Sequence, residues 1–220
     1  EGVGVQMQQE QLPPRLKVRE ALSLFASIYG VDGPPSDLMQ AMTIETIAGK
    51  RFDTLSGGQK RRVSLVLAFM GDPRIVFLDE PTAGLDPEAR SALVAVLKDR
   101  RDRGLTVLAT LHEVDHAADL ADRILIMARG RVRREGTVDS LMSTLGADAC
   151  VVLPRGTDQA PWQAAGHTQL SPEGALLVFG DRPTLERAVQ NIPSGRTAVL
   201  RPTNLGDVVT REAQTAEEEK

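Results

Sequence analysis

Residues 55–86 read LSGGQKRRVSLVLAFMGDPRIVFLDEPTAGLD, and the order of features in this stretch decides the fold. Ser56-Gly57-Gly58-Gln59 is a glycine turn that opens a helix, and Gly71-Asp72-Pro73 stops that helix. Ile75 to Leu78 is a continuous apolar run, the pattern of a strand buried on both faces of a parallel sheet. Two adjacent carboxylates, Asp79-Glu80, end the strand. Asp86-Pro87-Glu88 then starts a second helix, with Asp as cap, Pro in the first helical position and Glu in the first turn. Leu105 to Thr110 is the next apolar strand, so residues 75–110 form a β-α-β unit with parallel strands and a right-handed crossover.

Outward from this unit, residues 2–7 read as a short strand followed by the polar loop Gln8-Gln9-Glu10-Gln11. Apolar positions at Val18, Leu22, Phe25, Ala26 and Tyr29 predict an amphipathic helix from Lys17 to Tyr29, closed by Gly30. Ser36 is placed to cap a second helix running to about Ala48. With the helix after Gly58, this predicts a helical subdomain over residues 15–70. Toward the C-terminus a helix at 113–121 leads to a strand from Arg123 to Ala128. Arg129-Gly130 turns that strand into a hairpin. Thr137 opens a helix to about Leu145. Beyond it the pattern changes to short strands (149–153, 175–179, 196–200) and short helices (183–191, 203–211). The expected organisation is therefore a main domain over residues 1–148, a small α/β appendage over 149–212, and a disordered acidic tail over 213–220.

The chain of 220 residues is 41% hydrophobic and 25% charged, the composition of a folded globular protein. A net charge of −4 gives no reason to expect nucleic-acid binding, and Lys60-Arg61-Arg62 reads as the solvated start of a helix. The single cysteine, Cys150, rules out an internal disulfide framework. No apolar run approaches the ~18–20 residues needed to span a bilayer, so a membrane role would come through a partner. The first residues carry neither a basic nor a hydrophobic segment, and the chain opens on a strand without Met. It is expected to be the C-terminal part of a longer protein.

The chemistry concentrates in two places. Asp79-Glu80 ends a strand of an α/β sheet, where ligands bind. Adjacent carboxylates there concentrate negative charge, which Mg²⁺ held through water by Asp79 would relieve, leaving Glu80 to polarise an attacking water. The plainer alternative is a helix cap or a surface pair. At Ser56-Gly57-Gly58 the free amides of a helix start, its dipole and a hydroxyl favour a phosphate, the alternative being a simple cap. His116 and His167 match no motif and read as structural histidines, and Trp162 as a half-buried packing residue. One element is missing: the chain contains no G-x-x-x-x-G-K-[ST] phosphate loop.

The whole ordered set closely resembles the ATP-binding cassette (ABC) ATPase family. Leu55 to Gln59 matches the family's signature motif, Ile75 to Glu80 its Walker B strand, and Ala83 to Asp86 its D-loop. His112 takes the switch-histidine place. Gln8 takes that of the Q-loop glutamine, with Gln6, Gln9 and Gln11 as alternatives. The resemblance covers about Val3 to Leu145. The segment RLKVREALSLFASIYG (15–30) is similar to bacterial exporters of the drug-resistance type. PTNLGDVV (202–209) resembles that subgroup's C-terminal motif, with Gly206 and Val209 departing from it.

The resemblance implies an α/β, P-loop NTPase-like parallel sheet, incomplete here, with a helical subdomain and the C-terminal appendage. It implies ATP and Mg²⁺ as ligands, with Asp79 and Gln8 at the metal. Two cassettes, here a homodimer, would sandwich ATP head to tail. Ser56, Gly57, Gly58 and Gln59 would face the partner's nucleotide, and Asp86 would cross the interface. Glu80 would be the general base, with His112 and Gln8 completing the catalytic set. A transmembrane permease would be the second partner, with no nucleic acid, and the subunit would sit peripherally on the cytoplasmic face of the cell membrane. The competing readings are a soluble ABC ATPase acting on ribosomes or nucleic acid, and a non-hydrolysing cassette that only binds a partner. Without the phosphate loop and its neighbouring strand, the isolated chain is expected to be poorly stable and to bind ATP weakly.

Overall fold

A computed structural model describes residues 2–7, 12–112, 114–191 and 197–218 of the chain. They fall into two compact units, Glu1–Glu113 and Val114–Lys220. The division comes well before residue 149, where the sequence pattern changes.

The first unit runs β1 (Val3–Gln6), α1 (Val18–Tyr29), α2 (Ser36–Ala41), α3 (Gly57–Ala68), β2 (Ile75–Asp79), α4 (Pro87–Asp102) and β3 (Thr106–Thr110). Its strands form a parallel sheet in the order β1-β2-β3. The register sets Val3 beside Ile75 and Thr106, and places Asp79 beside Thr110 at the far end. Gly4 on β1 lies against the end of α3, where a Cβ would come within 2.0 Å of the Ala68 carbonyl oxygen. Only glycine lets the strand and helix approach so closely.

Val76 and Leu78 are buried, but the other face of the same strand is not: Ile75 and Phe77 are 40% and 41% exposed. Val3, Val5 and Leu108 lie on this open face too. The expectation of a strand buried on both faces is corrected here. The helices of this unit cover one side of the sheet, and no described residue of the same unit covers the other. β1 and β3 are the outer strands of the sheet as described.

The helical layer differs in one place from its predicted form. Pro35, rather than Ser36, precedes the first helical residue of α2, and Thr43 at φ 49° breaks the run. The chain continues from there as a short 3₁₀ turn, Ile44–Ile47, so the single helix expected over 36–48 is two pieces. α2 is tied to α4 by Arg100, whose guanidinium donates to both Asp37 oxygens at 2.8 Å and lies 5.2 Å from the centre of the Phe69 ring.

In the second unit α5 (Val114–Leu120) leads into the hairpin β4 (Ile124–Ala128) and β5 (Arg131–Gly136), followed by α6 (Val138–Ser143). Arg129 and Gly130 have φ of 52° and 72°, the paired left-handed geometry of a tight hairpin turn. Then come β6 (Ala149–Leu153), β7 (His167–Leu170), β8 (Leu176–Gly180), α7 (Arg182–Gln190), β9 (Val199–Pro202) and α8 (Leu205–Glu218). The last strands form an antiparallel sheet in the order β7-β8-β6-β9. The expected strand set lacked β7, which mixes His167, Thr168 and Gln169 and carries no apolar alternation.

One cluster of this unit joins Ala149, Val151, Val178, Leu185 and Trp162, so Trp162 is a core residue. His167, by contrast, is exposed. A second cluster joins Ile126 and Leu141 to Leu205 and Val208 of α8. The PTNLGDVV stretch is thus the start of a packed helix, and Arg201 holds the buried Asp207 with two hydrogen bonds of 2.8 and 2.7 Å. α8 continues to Glu218, with Glu212 and Ala216 buried, so the chain is helical beyond residue 213, where a disordered tail was expected to begin. Cys150 is buried, and burial pushes its thiol up to about 11, which makes it a poor nucleophile.

The Arg100 hydrogen bonds, opposed in part by burial, hold the Asp37 carboxyl below its ordinary value of 3.8. A carboxyl depressed in the folded state stabilises above its unfolded pKa, and the contribution disappears as pH falls through the folded one. Asp37→Asn is expected to cost about 1–2 kcal/mol at pH 7, a charged hydrogen bond discounted for solvent screening. In urea titrations the wild-type advantage should shrink as pH falls below the ordinary carboxyl value of 3.8 and disappear as it falls through the lowered folded value.

Candidate functional site

The site lies at the C-terminal ends of β2 and β3. Parallel pairing carries Asp79 to a position beside Thr110, and the Thr110 hydroxyl donates to Asp79 Oδ1. The next peptide turns sharply: Glu80 has φ 49°, a left-handed conformation rare outside glycine. Its amide donates to the carbonyl and hydroxyl oxygens of Thr110, each at 3.1 Å. Its carbonyl accepts from Arg61 Nη1 at 2.6 Å and from the Ala83 amide at 3.1 Å. The turn aims the Glu80 carboxylate at His112, with Oε1 3.1 Å from Nε2. The Glu80 side chain is 20% exposed and that of His112 87%, so the carboxylate is recessed and the imidazole open to solvent.

Ser56 caps α3 by a reciprocal box: its hydroxyl accepts from the Gln59 amide, and Gln59 Oε1 accepts from the Ser56 amide, both at 3.2 Å. The Ser56 hydroxyl keeps its own proton to donate. The amides of Gly57 and Gly58 lie in the first turn, where no helical carbonyl can accept from them. Asp86 caps α4 through the Ala89 amide at 2.9 Å and pairs with Arg62. The Ala89 hydrogen bond chiefly, with Arg62 also contributing, holds its carboxyl below the ordinary range against a partial opposition from burial.

The structure therefore brings Asp79, Glu80 and His112 together. It sets the Ser56–Gln59 turn apart from them, at the start of a helix whose next turn reaches the same loop. Gly58 makes that approach possible: a Cβ there would come within 2.7 Å of the Gly84 carbonyl oxygen. Gln8 lies outside the described residues. Thr110 and Arg61 were not singled out by the sequence. Thr110 could have been suspected from its place two residues before His112. Arg61 gave no signal, because its run of basic residues reads as a solvated face. That expectation is corrected: Arg61 reaches Glu80, Arg62 pairs with Asp86, and the Lys60 ammonium lies 5.4 Å from the centre of the Phe52 ring.

A parallel β-α-β sheet with a recessed carboxylate and a histidine at its strand ends, beside a glycine-opened helix, offers places where an anionic ligand can bind. Residues 1–83 match the family model described as ABC transporter. The chain is 34% identical over 220 residues to the Nod factor export ATP-binding protein I of Burkholderia orbicola, covering 95% of this chain and 71% of that protein. The protein of the same name from Rhizobium etli is 32% identical, with 96% and 69% covered. Among solved structures, an ATP-binding subunit of an ABC transporter superposes with a TM-score of 0.58 at 27% identity, covering 66% of this chain and 62% of that one. A dimeric ATP-binding cassette in a post-hydrolysis state, bound to ADP and Pi, gives 0.53 at 27% identity, covering 61% of this chain and 62% of that one. This chain thus spans under two thirds of either solved cassette. It belongs to the ABC transporter ATP-binding family.

The Gly58 contact is testable without any activity. Gly58→Ala should lower the urea midpoint of the chain by an amount worth about 1–3 kcal/mol, since a backbone carbonyl must move. Gly57, with nothing within 4 Å of its would-be Cβ, should tolerate alanine. Far-UV circular dichroism during urea unfolding reads both.

Proposed function

We propose that this chain is part of the ATP-hydrolysing subunit of an ABC exporter of the drug-resistance type. The approach of the Glu80 carboxylate to His112 at the ends of β2 and β3 carries the reading. In a head-to-tail homodimer, Glu80 takes the proton from the attacking water as general base. His112 donates to the γ-phosphate and stabilises the charge that grows on it. The Ser56 hydroxyl and the amides of Gly57 and Gly58 engage the nucleotide held by the partner, with Gln59 fixing the turn that presents them. Asp86 faces the dimer interface, where exchanging Arg62 for a partner group would cost one exposed ion pair.

Mg²⁺, when bound, neutralises charge on the β- and γ-phosphates; Asp79 and Gln8 would hold it. Asp79 fits that task, since the Thr110 hydroxyl orients one of its oxygens and the other is left to face a cation or its water shell. Among the described residues no group of three or more His, Cys, Asp and Glu forms a cation cage. A cation arriving with the phosphates suits such a site.

No helix of the described residues is long and apolar enough to cross a membrane, so the reading needs a permease as second partner. Leu24 and Ile28, exposed at i and i+4 on α1, supply an apolar strip for its cytoplasmic loops. Export is also what the relatives' names describe, and in this family the membrane subunit selects the cargo. The subunit would sit on the cytoplasmic face of the membrane.

Two experiments test this. In the complete native subunit, Glu80→Gln should keep ATP affinity within about threefold while turnover falls at least ~100-fold, the range of a lost general base. Turnover at the wild-type rate would remove Glu80 from that role and favour a cassette working without it. Residues 1–220 alone should show no ATP binding tighter than about 1 mM by calorimetry. A sub-millimolar Kd would show that the nucleotide does not need a phosphate loop supplied from outside these residues.

A further inference from the structure

We propose that Arg61, in the second turn of the signature helix α3, is a positioning residue for the carboxylate of Glu80. The proposal rests on the reading of Glu80 as general base. It starts from the backbone. A left-handed φ of 49° at a residue with a side chain is a costly conformation that persists only where the surroundings over-determine it. The surroundings here are specific. Thr110 accepts twice from the Glu80 amide, and on the other side of the residue the Arg61 guanidinium donates to the Glu80 carbonyl at 2.6 Å. The same Nη1 lies 3.4 Å from the Ala83 carbonyl oxygen, so it straddles the turn. Both peptide groups of Glu80 are held, and the direction of its side chain follows from them. Without the Arg61 donor the carbonyl loses its charge-assisted hydrogen bond, and the peptide can relax toward an ordinary conformation that swings the carboxylate off its line to His112.

The location adds a consequence. Arg61 lies one turn beyond Gly57 and Gly58, and Gly58 touches Gly84 at the other end of the same loop. The signature helix thus grips the Glu80–Gly84 turn at both ends, by a hydrogen bond at Glu80 and by backbone contact at Gly84. A phosphate drawn to the first turn of α3 would act on a rigid element that also sets the base. The turn that would engage one nucleotide and the carboxylate that would activate water at the other are linked through the Arg61 side chain.

The test is a double-mutant cycle in the complete native subunit, read as kcat and KM for ATP. Arg61→Met keeps the aliphatic stem and removes the donors. It should lower kcat at least ~20-fold, as small misplacements of a reacting group do, with KM changed less than about threefold. Arg61→Lys should recover most of the loss, because one N–H suffices for a carbonyl. Added to Glu80→Gln, Arg61→Met should lower the single-turnover rate by less than about twofold, since the group it positions is already gone. A kcat within twofold of wild type, or a full additive loss in the Glu80→Gln background, would overturn the positioning role. Arg61→Gln repeats the cycle if the Met variant loses its cooperative melt, and loss of folding in both would make Arg61 a stability residue and overturn the proposal too. Undiminished turnover in Glu80→Gln marks the other failure, that of the general-base reading itself. A normal Arg61→Met beside an inert Glu80→Gln sinks the positioning role alone.

Discussion

β2 is the strand of the first unit that is paired along both edges, with β1 on one side and β3 on the other. Its parallel register with β3 runs to its last residue and sets Asp79 beside Thr110. Everything at the site hangs on that pairing. It delivers the Thr110 hydroxyl to Asp79, both Thr110 oxygens to the Glu80 amide, and His112 to within 3.1 Å of the Glu80 carboxylate. A slip of one residue would turn each of these side chains to the other face of the sheet. The buried residues Val76 and Leu78 oppose such a slip, because it would move them into solvent.

The same strand displays what the unit lacks. Val3, Val5, Ile75, Phe77 and Leu108 form an exposed apolar face, although parallel sheets are ordinarily covered on both sides. An open face of this kind favours self-association or a covering partner. The local structure of the site does not depend on that cover. It is built from the buried face, where Gly4 lets β1 lie against α3, and from the loop that Arg61 and Gly58 hold.

Much of the site could be read in the chain because its pieces are local. Ser56 and Gln59 form a capping box across three residues, and Asp86-Pro87 is a self-contained helix start. Asp79-Glu80 are neighbours by covalent bonding. Arg61 and Thr110 could not be read this way, because their partners lie 19 and 31 residues away and a basic residue after a helix start has no distinctive pattern. The break at Thr43 was only partly hidden. Residues 36–42 are helix material, but Thr43, Ile44, Thr46 and Ile47 are β-branched and weaken the helix beyond them, and Met42, Ile44 and Ile47 are buried in the core.

The sequence by itself determined the order of elements in the first unit, the caps of α3 and α4, the strand-end carboxylates and the family they point to. These depend on neighbours along the chain, and short-range hydrogen bonding and periodicity encode them. The tertiary structure alone decided where the chain divides, at Glu113 and Val114, because α8 returns from the C-terminus to pack on Ile126 and Leu141. It also decided that Glu80 adopts a left-handed turn and that Arg61, from the basic run on α3, reaches its carbonyl. Those outcomes depend on which distant backbone groups need a donor, and only the folded sheet brings the donor to them.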